Sequence, residues 1–184
     1  MIPTIHNLGS ITIYEGDVRA SLALMPEQSA HVSVSSPPYW QLRSYLPAGH
    51  ELKPLELGSE PPPDEIVENL VGVYRGVRRV LRDDGVVWVN LGDTYATTPV
   101  GKFNGGTELF KGRDMSGIET SGAFDKSKAC GVPMGSQVLI PHRFALAMQR
   151  DGWILRDTII WAKRSPMPQS VRGWAWEKCR VKVK

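Results

Sequence analysis

Four consecutive residues, Ser36, Pro37, Pro38 and Tyr39, combine a hydroxyl, backbone carbonyls with no competing proline N–H groups, and an aromatic ring. Each proline fixes its φ at about −65° and offers no donor, and it drives the preceding residue into extended geometry. The corner is therefore stiff and rich in acceptors. With the Ser36 hydroxyl and a carbonyl, two acceptors can converge on one small group that carries two N–H bonds. Tyr39 adds a flat face against which a ring can stack. A planar ring with an exocyclic amine suits this arrangement, and a cytosine or adenine rotated out of a duplex presents one. The plainer reading of the same residues is a structural proline turn or a polyproline II docking peptide.

Other residues capable of chemistry are scattered. Asp17 follows a strand-like segment and opens a helix-like one, where a carboxylate caps the first amides. His6, His31, His50 and His142 show no metal-ligand spacing. Cys130 and Cys179 lack C-x-x-C spacing and suit a reducing compartment. The expectation is a cytoplasmic protein with no metal site. Asp93, in "LGDTY", reads as a turn former, and "FNGGT" at 103–107 has no strand before it that would make it a ligand-cradling loop.

Regular elements must position the corner. "SITIYEG" alternates like a strand, and "DVRASLALM" has helical spacing up to Pro26. "HVSVSS" is short, as central parallel strands are, and it runs directly into the corner. Asp64, after three prolines, is placed to cap the helix "DEIVENLVGVYRGVRRVL", whose stripe is Ile66, Leu70, Tyr74, Val77 and Leu81. Asp84-Gly85 then turns the chain into the strand "VVWVNLG". Residues 97–137 are rich in Gly, Ser, Thr and Lys, and read as a long mobile loop or irregular insertion. Pro141 suits the first turn of the helix "HRFALAMQRDG". "WILRDTIIWAK" reads as a fourth strand, and "KCRVKVK" alternates like the beginning of another. Strands alternating with helices imply an α/β fold with a mainly parallel sheet flanked by helices. Ligands in such sheets bind beyond the carboxyl ends of the strands, where "SPPYW" and "GDTY" both fall.

The bulk properties agree with one domain over residues 1–184. At 41 % hydrophobic and 22 % charged, the chain has the composition of a folded globular protein. No stretch approaches the roughly 18 apolar residues of a membrane span, and "MIPTIHNLGS" has no secretory pattern. Charge is divided unevenly. Residues 1–98 hold 7 Lys and Arg against 12 Asp and Glu, while residues 99–184 hold 15 against 7. A basic second half is the footprint of a chain that meets phosphate backbones, although it also serves solubility.

The corner resembles the [D/N/S]-P-P-[Y/F/W] tetrapeptide of the amino-directed DNA methyltransferases that depend on S-adenosylmethionine. Three ordered blocks carry the resemblance over most of the chain outside residues 97–137: "YEGDVRASLALMPEQSAHVSVSSPPYW", "LELGSEPPPDEIVENLVGVYRGVRRVLRDDGVVWVNLGDTY" and "LIPHRFALAMQRDGWILRDTIIWAKRSPMPQSV". The resemblance implies a partial Rossmann-like methyltransferase fold and double-stranded DNA as partner. It implies methyl transfer to the exocyclic amine of a flipped-out base, with cytosine N4 preferred and adenine N6 the near alternative. The Ser36 hydroxyl and Pro37 carbonyl would grip the amine, and Pro38 and Tyr39 would complete the pocket. Asp17 would accept a hydrogen bond from the adenine amine of the cofactor. Lys163 and Arg164 would contact phosphate of the target strand. Catalysis would rest on orientation and electrostatics with no covalent intermediate. Cytosine C5 methylation needs a nucleophilic cysteine, and neither Cys130 nor Cys179 sits in the Pro-Cys setting used for it. Enzymes that methylate a protein glutamine use a related N-P-P-Y corner, against which Ser36 and the basic half both argue.

One departure from the family pattern stands out. Residues 1–184 contain neither the glycine-rich loop that cradles the methionine part of the cofactor nor the acidic residue for its ribose. In the permuted order that begins with G-D and S-P-P-Y, these parts follow later. The expectation is therefore an incomplete catalytic domain. Either a second polypeptide completes the cofactor site, or the chain is a non-catalytic remnant that binds DNA.

Overall fold

The computed structural model describes residues 2–97 and 124–162. Its centre is a β–α–β unit. Strand β3 (Ala30–Ser35) leads through the corner to helix α2 (Pro63–Val80), which returns the chain to strand β4 (Leu81–Val89). The two strands pair in parallel, with Val32 opposite Val86, Ser33 opposite Val87, Val34 opposite Trp88 and Ser35 opposite Val89. A parallel pair needs such a crossover. It also brings the carboxyl ends of β3 and β4 side by side, and Asn90 N extends the ladder by donating to Ser35 O at 2.9 Å.

Helix α2 forms because its apolar residues recur on one side while Pro63, Asp64 and Glu65 occupy its first turn and Arg78 and Arg79 its last. That charge order complements the helix dipole. The expected stripe is in the core, with Ile66, Leu70 and Tyr74 fully shielded and Val77 packed against them. Asp64 does not cap the helix as expected. The helix begins one residue earlier, at Pro63, so Asp64 lies in the first turn and binds Arg143 Nη1 at 2.7 Å. The neighbours of α2 are helix α1 (Val18–Leu24) and helix α4 (Ile140–Arg150). Arg79 Nη2 donates to the carbonyls of Leu22 and Met25 at the end of α1. On the other side, Tyr74 and Phe144 of α4 meet with ring centroids 5.3 Å apart.

The expected strand "SITIYEG" is β2 (Ile11–Glu15), paired antiparallel with β1 (Thr4–Leu8) across a two-residue turn. The described residues thus hold one parallel pair and one antiparallel hairpin, each two-stranded. The expected fourth strand is not formed. Residues 153–162 lie outside any helix or strand, because no described strand lies alongside to take their hydrogen bonds. Trp153 alone of this segment packs against the core, beneath the Arg78 guanidinium 4.7 Å from its ring. Within the stretch read as an irregular insertion, residues 124–137 contain the short helix α3 (Lys126–Cys130), which Asp125 caps through Ser127 N and Lys128 N. Residues 98–123 fall outside the described residues.

Because Ile66 sits wholly inside the α2–α4 core, Ile66→Ala should lower unfolding free energy by about 3 kcal/mol. Urea denaturation followed by circular dichroism measures it.

Candidate functional site

At the end of β3 successive side chains alternate in direction. Ser35 turns inward, and its hydroxyl shares a 2.6 Å hydrogen bond with that of Tyr74. Burial pushes the Tyr74 phenol above its ordinary value, the bond to Ser35 opposing. Ser36 turns outward and is exposed, Pro37, Pro38 and Tyr39 are half-buried, and Trp40 is buried. Among the described residues no hydrogen-bond partner engages the Ser36 hydroxyl.

The prolines cannot donate, so the corner is held from its flanks. Trp40 Nε1 donates to Glu60 O at 2.7 Å, and Gln41 N to Gly58 O at 2.7 Å. Gln41 Nε2 adds bonds to Ser59 O and Glu60 O. The Glu60 side chain is itself buried and accepts from Gly58 N at 2.7 Å and Asn69 Nδ2 at 3.0 Å. This ties the corner to the segment before α2 and to α2 itself. Phe124 meets the Trp40 ring edge-on. Lys126 lies 5.9 Å from that ring and donates to Thr94 Oγ1 at 3.0 Å. Burial holds its ammonium below the usual lysine range.

The segment after β4 forms the opposite wall. Gly92 lies under the Tyr39 ring. Asp93 accepts from Leu139 N and Ile140 N, both at 3.0 Å. It therefore caps α4, whose own N-cap residue, Leu139, has φ +64° and no capping side chain. The residue expected to form a turn is a helix cap acting across 46 positions of sequence.

Beyond the corner, Glu56 organises the loop 44–56. It accepts from Tyr45 N, Leu46 N at 3.0 Å, Ser44 Oγ and Lys53 Nζ at 2.6 Å. Burial alone would raise its carboxyl, but the Lys53 bond and the two amides bring it down to about 2.

Asp17 is the N-cap of α1. It accepts from Arg19 N at 2.9 Å and Ala20 N at 3.3 Å, and its two oxygens also take the Arg19 guanidinium, Nη2 at 2.8 Å. The Arg19 side-chain bond is the main reason its carboxyl lies below the ordinary value. Both oxygens are thus engaged within the fold, Oδ2 by the Arg19 guanidinium alone. Lys163 and Arg164 lie outside the described residues. Two surface depressions, between α1 and α2 and between α2 and α4, contain no residue of the corner. Among the described residues no group of three His, Cys, Asp or Glu side chains is placed to hold a metal ion. The sequence reading missed Glu60 and Lys126 as parts of this region, and placed Gly92 there only as the first residue of "GDTY". Only the "LELGSE" block before the prolines pointed toward the first.

Comparison with known proteins decides the family. A DNA methylase model, for the N6 and N4 amino-directed type, matches residues 30–176. The chain belongs to the DNA amino-methyltransferase family. It is 36 % identical over 166 residues to Type II methyltransferase M.SmaI of Serratia marcescens, covering 90 % of this chain and 52 % of that protein. Against M.Cfr9I of Citrobacter freundii it is 34 % identical over 165 residues, covering 90 % and 50 %. Against M.SfiI of Streptomyces fimbriatus it is 37 % identical over 167 residues, covering 91 % and 34 %. The chain spans about half the length of the first two relatives. No solved structure matches it.

Two outcomes follow from the supports of the corner. Glu60→Gln leaves one of two buried donors facing an amide NH2, and should cost roughly 1–3 kcal/mol in urea unfolding. The Glu56 carboxyl is depressed on folding, so its contribution is present above its ordinary value of 4.5 and is lost as pH falls toward about 2. The melting-temperature advantage of the native chain over Glu56→Gln should therefore shrink across that window and be constant above it.

Proposed function

We propose that this chain carries the target-base pocket of a DNA methyltransferase acting on an exocyclic amine, cytosine N4 in preference to adenine N6. The observation that carries the reading is the free, outward Ser36 hydroxyl beside the half-buried Tyr39 ring, at the carboxyl ends of two parallel strands. Among the described residues nothing binds that hydroxyl, while Trp40 and Gln41, just beyond the corner, are tied to Gly58, Ser59 and Glu60.

An amine conjugated to a heterocycle is a poor nucleophile. The Ser36 hydroxyl and Pro37 carbonyl accept its two N–H bonds, draw the nitrogen toward tetrahedral geometry and aim its lone pair. Tyr39 stacks on the extruded base and fixes its plane, with Pro38 as the rigid hinge beneath. S-adenosylmethionine is the methyl donor, and when bound it supplies an electrophilic methyl on a sulfonium. Asp17 would accept its adenine amine on Oδ2, which in this conformation binds only the Arg19 guanidinium. A second polypeptide that completes this side is the partner reading. Double-stranded DNA is the substrate, with the basic second half meeting its phosphates and Lys163 and Arg164 contacting the target strand.

Tritiated methyl transfer to unmethylated duplex DNA tests the pocket. Ser36→Ala and Tyr39→Ala should each lower the rate roughly 100-fold, as loss of one preorganised contact does. Wild-type rates in both variants would overturn the assignment.

A further inference from the structure

Gly92 holds its glycine for reasons of space rather than conformation. Its φ is not in the left-handed region that favours glycine, so the backbone would accept any residue. A Cβ built on it would lie 2.5 Å from Tyr39 Cε2, 2.7 Å from Cδ2 and 3.2 Å from Cζ. Ordinary carbon contacts begin at about 3.5 Å, so the ring and the methyl cannot coexist.

Both backbones are tied close to the contact. On the Gly92 side, Asn90 is bonded to Ser35 and Asp93 to the first amides of α4. On the Tyr39 side, Trp40 is anchored to Glu60, and Pro38 is backed by Gly58. Gly58 has φ +100°, and a Cβ there would meet Pro38 Cβ at 3.0 Å and Tyr39 O at 3.3 Å. The corner is clasped between two glycine backbones, and the group a Cβ at position 92 would meet is the Tyr39 ring, a side chain rather than backbone.

We propose that Gly92 is a positioning residue of the target-base pocket: its bare backbone is the shelf that sets the plane of Tyr39, and so the plane in which an amine-bearing base is presented. The inference rests on the pocket reading above. Any side chain at position 92 displaces the ring, and with it the plane of a base stacked on it. A displacement of about 1 Å at a reacting centre lowers turnover on the order of 100-fold.

The test uses the full chain with ring-13C tyrosine. Among its five tyrosines, the Tyr39 line is assigned by its absence in Tyr39→Ala. In Gly92→Ala the Tyr39 line should move while that of Tyr74 stays, and tritiated methyl transfer should fall roughly 100-fold in kcat with the cofactor KM unchanged. The double variant Gly92→Ala/Tyr39→Ala, in which the methyl enters space the ring has left, should fold and melt like Tyr39→Ala and transfer no more slowly than it. An unmoved Tyr39 line in Gly92→Ala, or effects of the two substitutions that multiply, would overturn the inference. Wild-type transfer by Tyr39→Ala would instead overturn the pocket reading on which it rests.

Discussion

Two adjacent prolines present acceptors and no donors, so the corner at residues 36–40 cannot hold itself by backbone pairing, and Glu60 does it from outside. The carbonyl of Glu60 takes the indole of Trp40, while its buried carboxylate takes the amide of Gly58 and the side chain of Asn69. A buried carboxylate is tolerated only when its lone pairs are filled. Here they are filled by groups that also fix the loop before α2, which makes the corner and that loop one unit. Were this bond set lost, Trp40 would lose its seat and the prolines would swing free of the strand that aims them.

The electrostatics follow the same division between support and opportunity. Glu56, Asp17, Asp93 and Glu60 all have their oxygens engaged by amides or cations within the fold. Each stitches a loop or caps a helix. Ser36 differs, since its hydroxyl is exposed and no described group binds it. The proposed pocket thus has engaged carboxylates around it and a hydroxyl that no described group binds, the arrangement a ligand bringing its own donors would need.

Strand β4 is apolar on both faces and β3 carries valines on its outer one, but the described residues cover only the inner side of the pair. Val87 and Val89 pack into the core, whereas Val34 is 78 % exposed and Trp88 53 %. Ile154, Ile159, Ile160 and Trp161 are also exposed. Strands of parallel sheets are ordinarily buried on both sides, which is why "HVSVSS" and "VVWVNLG" read as central strands. Residues 153–162, rich in strand formers, likewise have no strand beside them among the described residues.

Local rules reached as far as local physics does. Proline stereochemistry made the corner legible at residues 36–39, helical periodicity made α2 legible from Ile66 to Val77, and short apolar runs marked β3 and β4. Resemblance of the three blocks pointed to the family, and the family match agrees with it. Tertiary structure alone decided that Tyr39 rests on Gly92 and that Asp93 caps a helix 46 residues onward. It also decided that Asp17 is occupied by Arg19. A proline or a helical stripe acts through bonds and turns spanning a few residues, so its signal is in the string. A missing Cβ under an aromatic ring has meaning only once two distant backbones have been brought within van der Waals contact, and only the folded register of β3 against β4 does that.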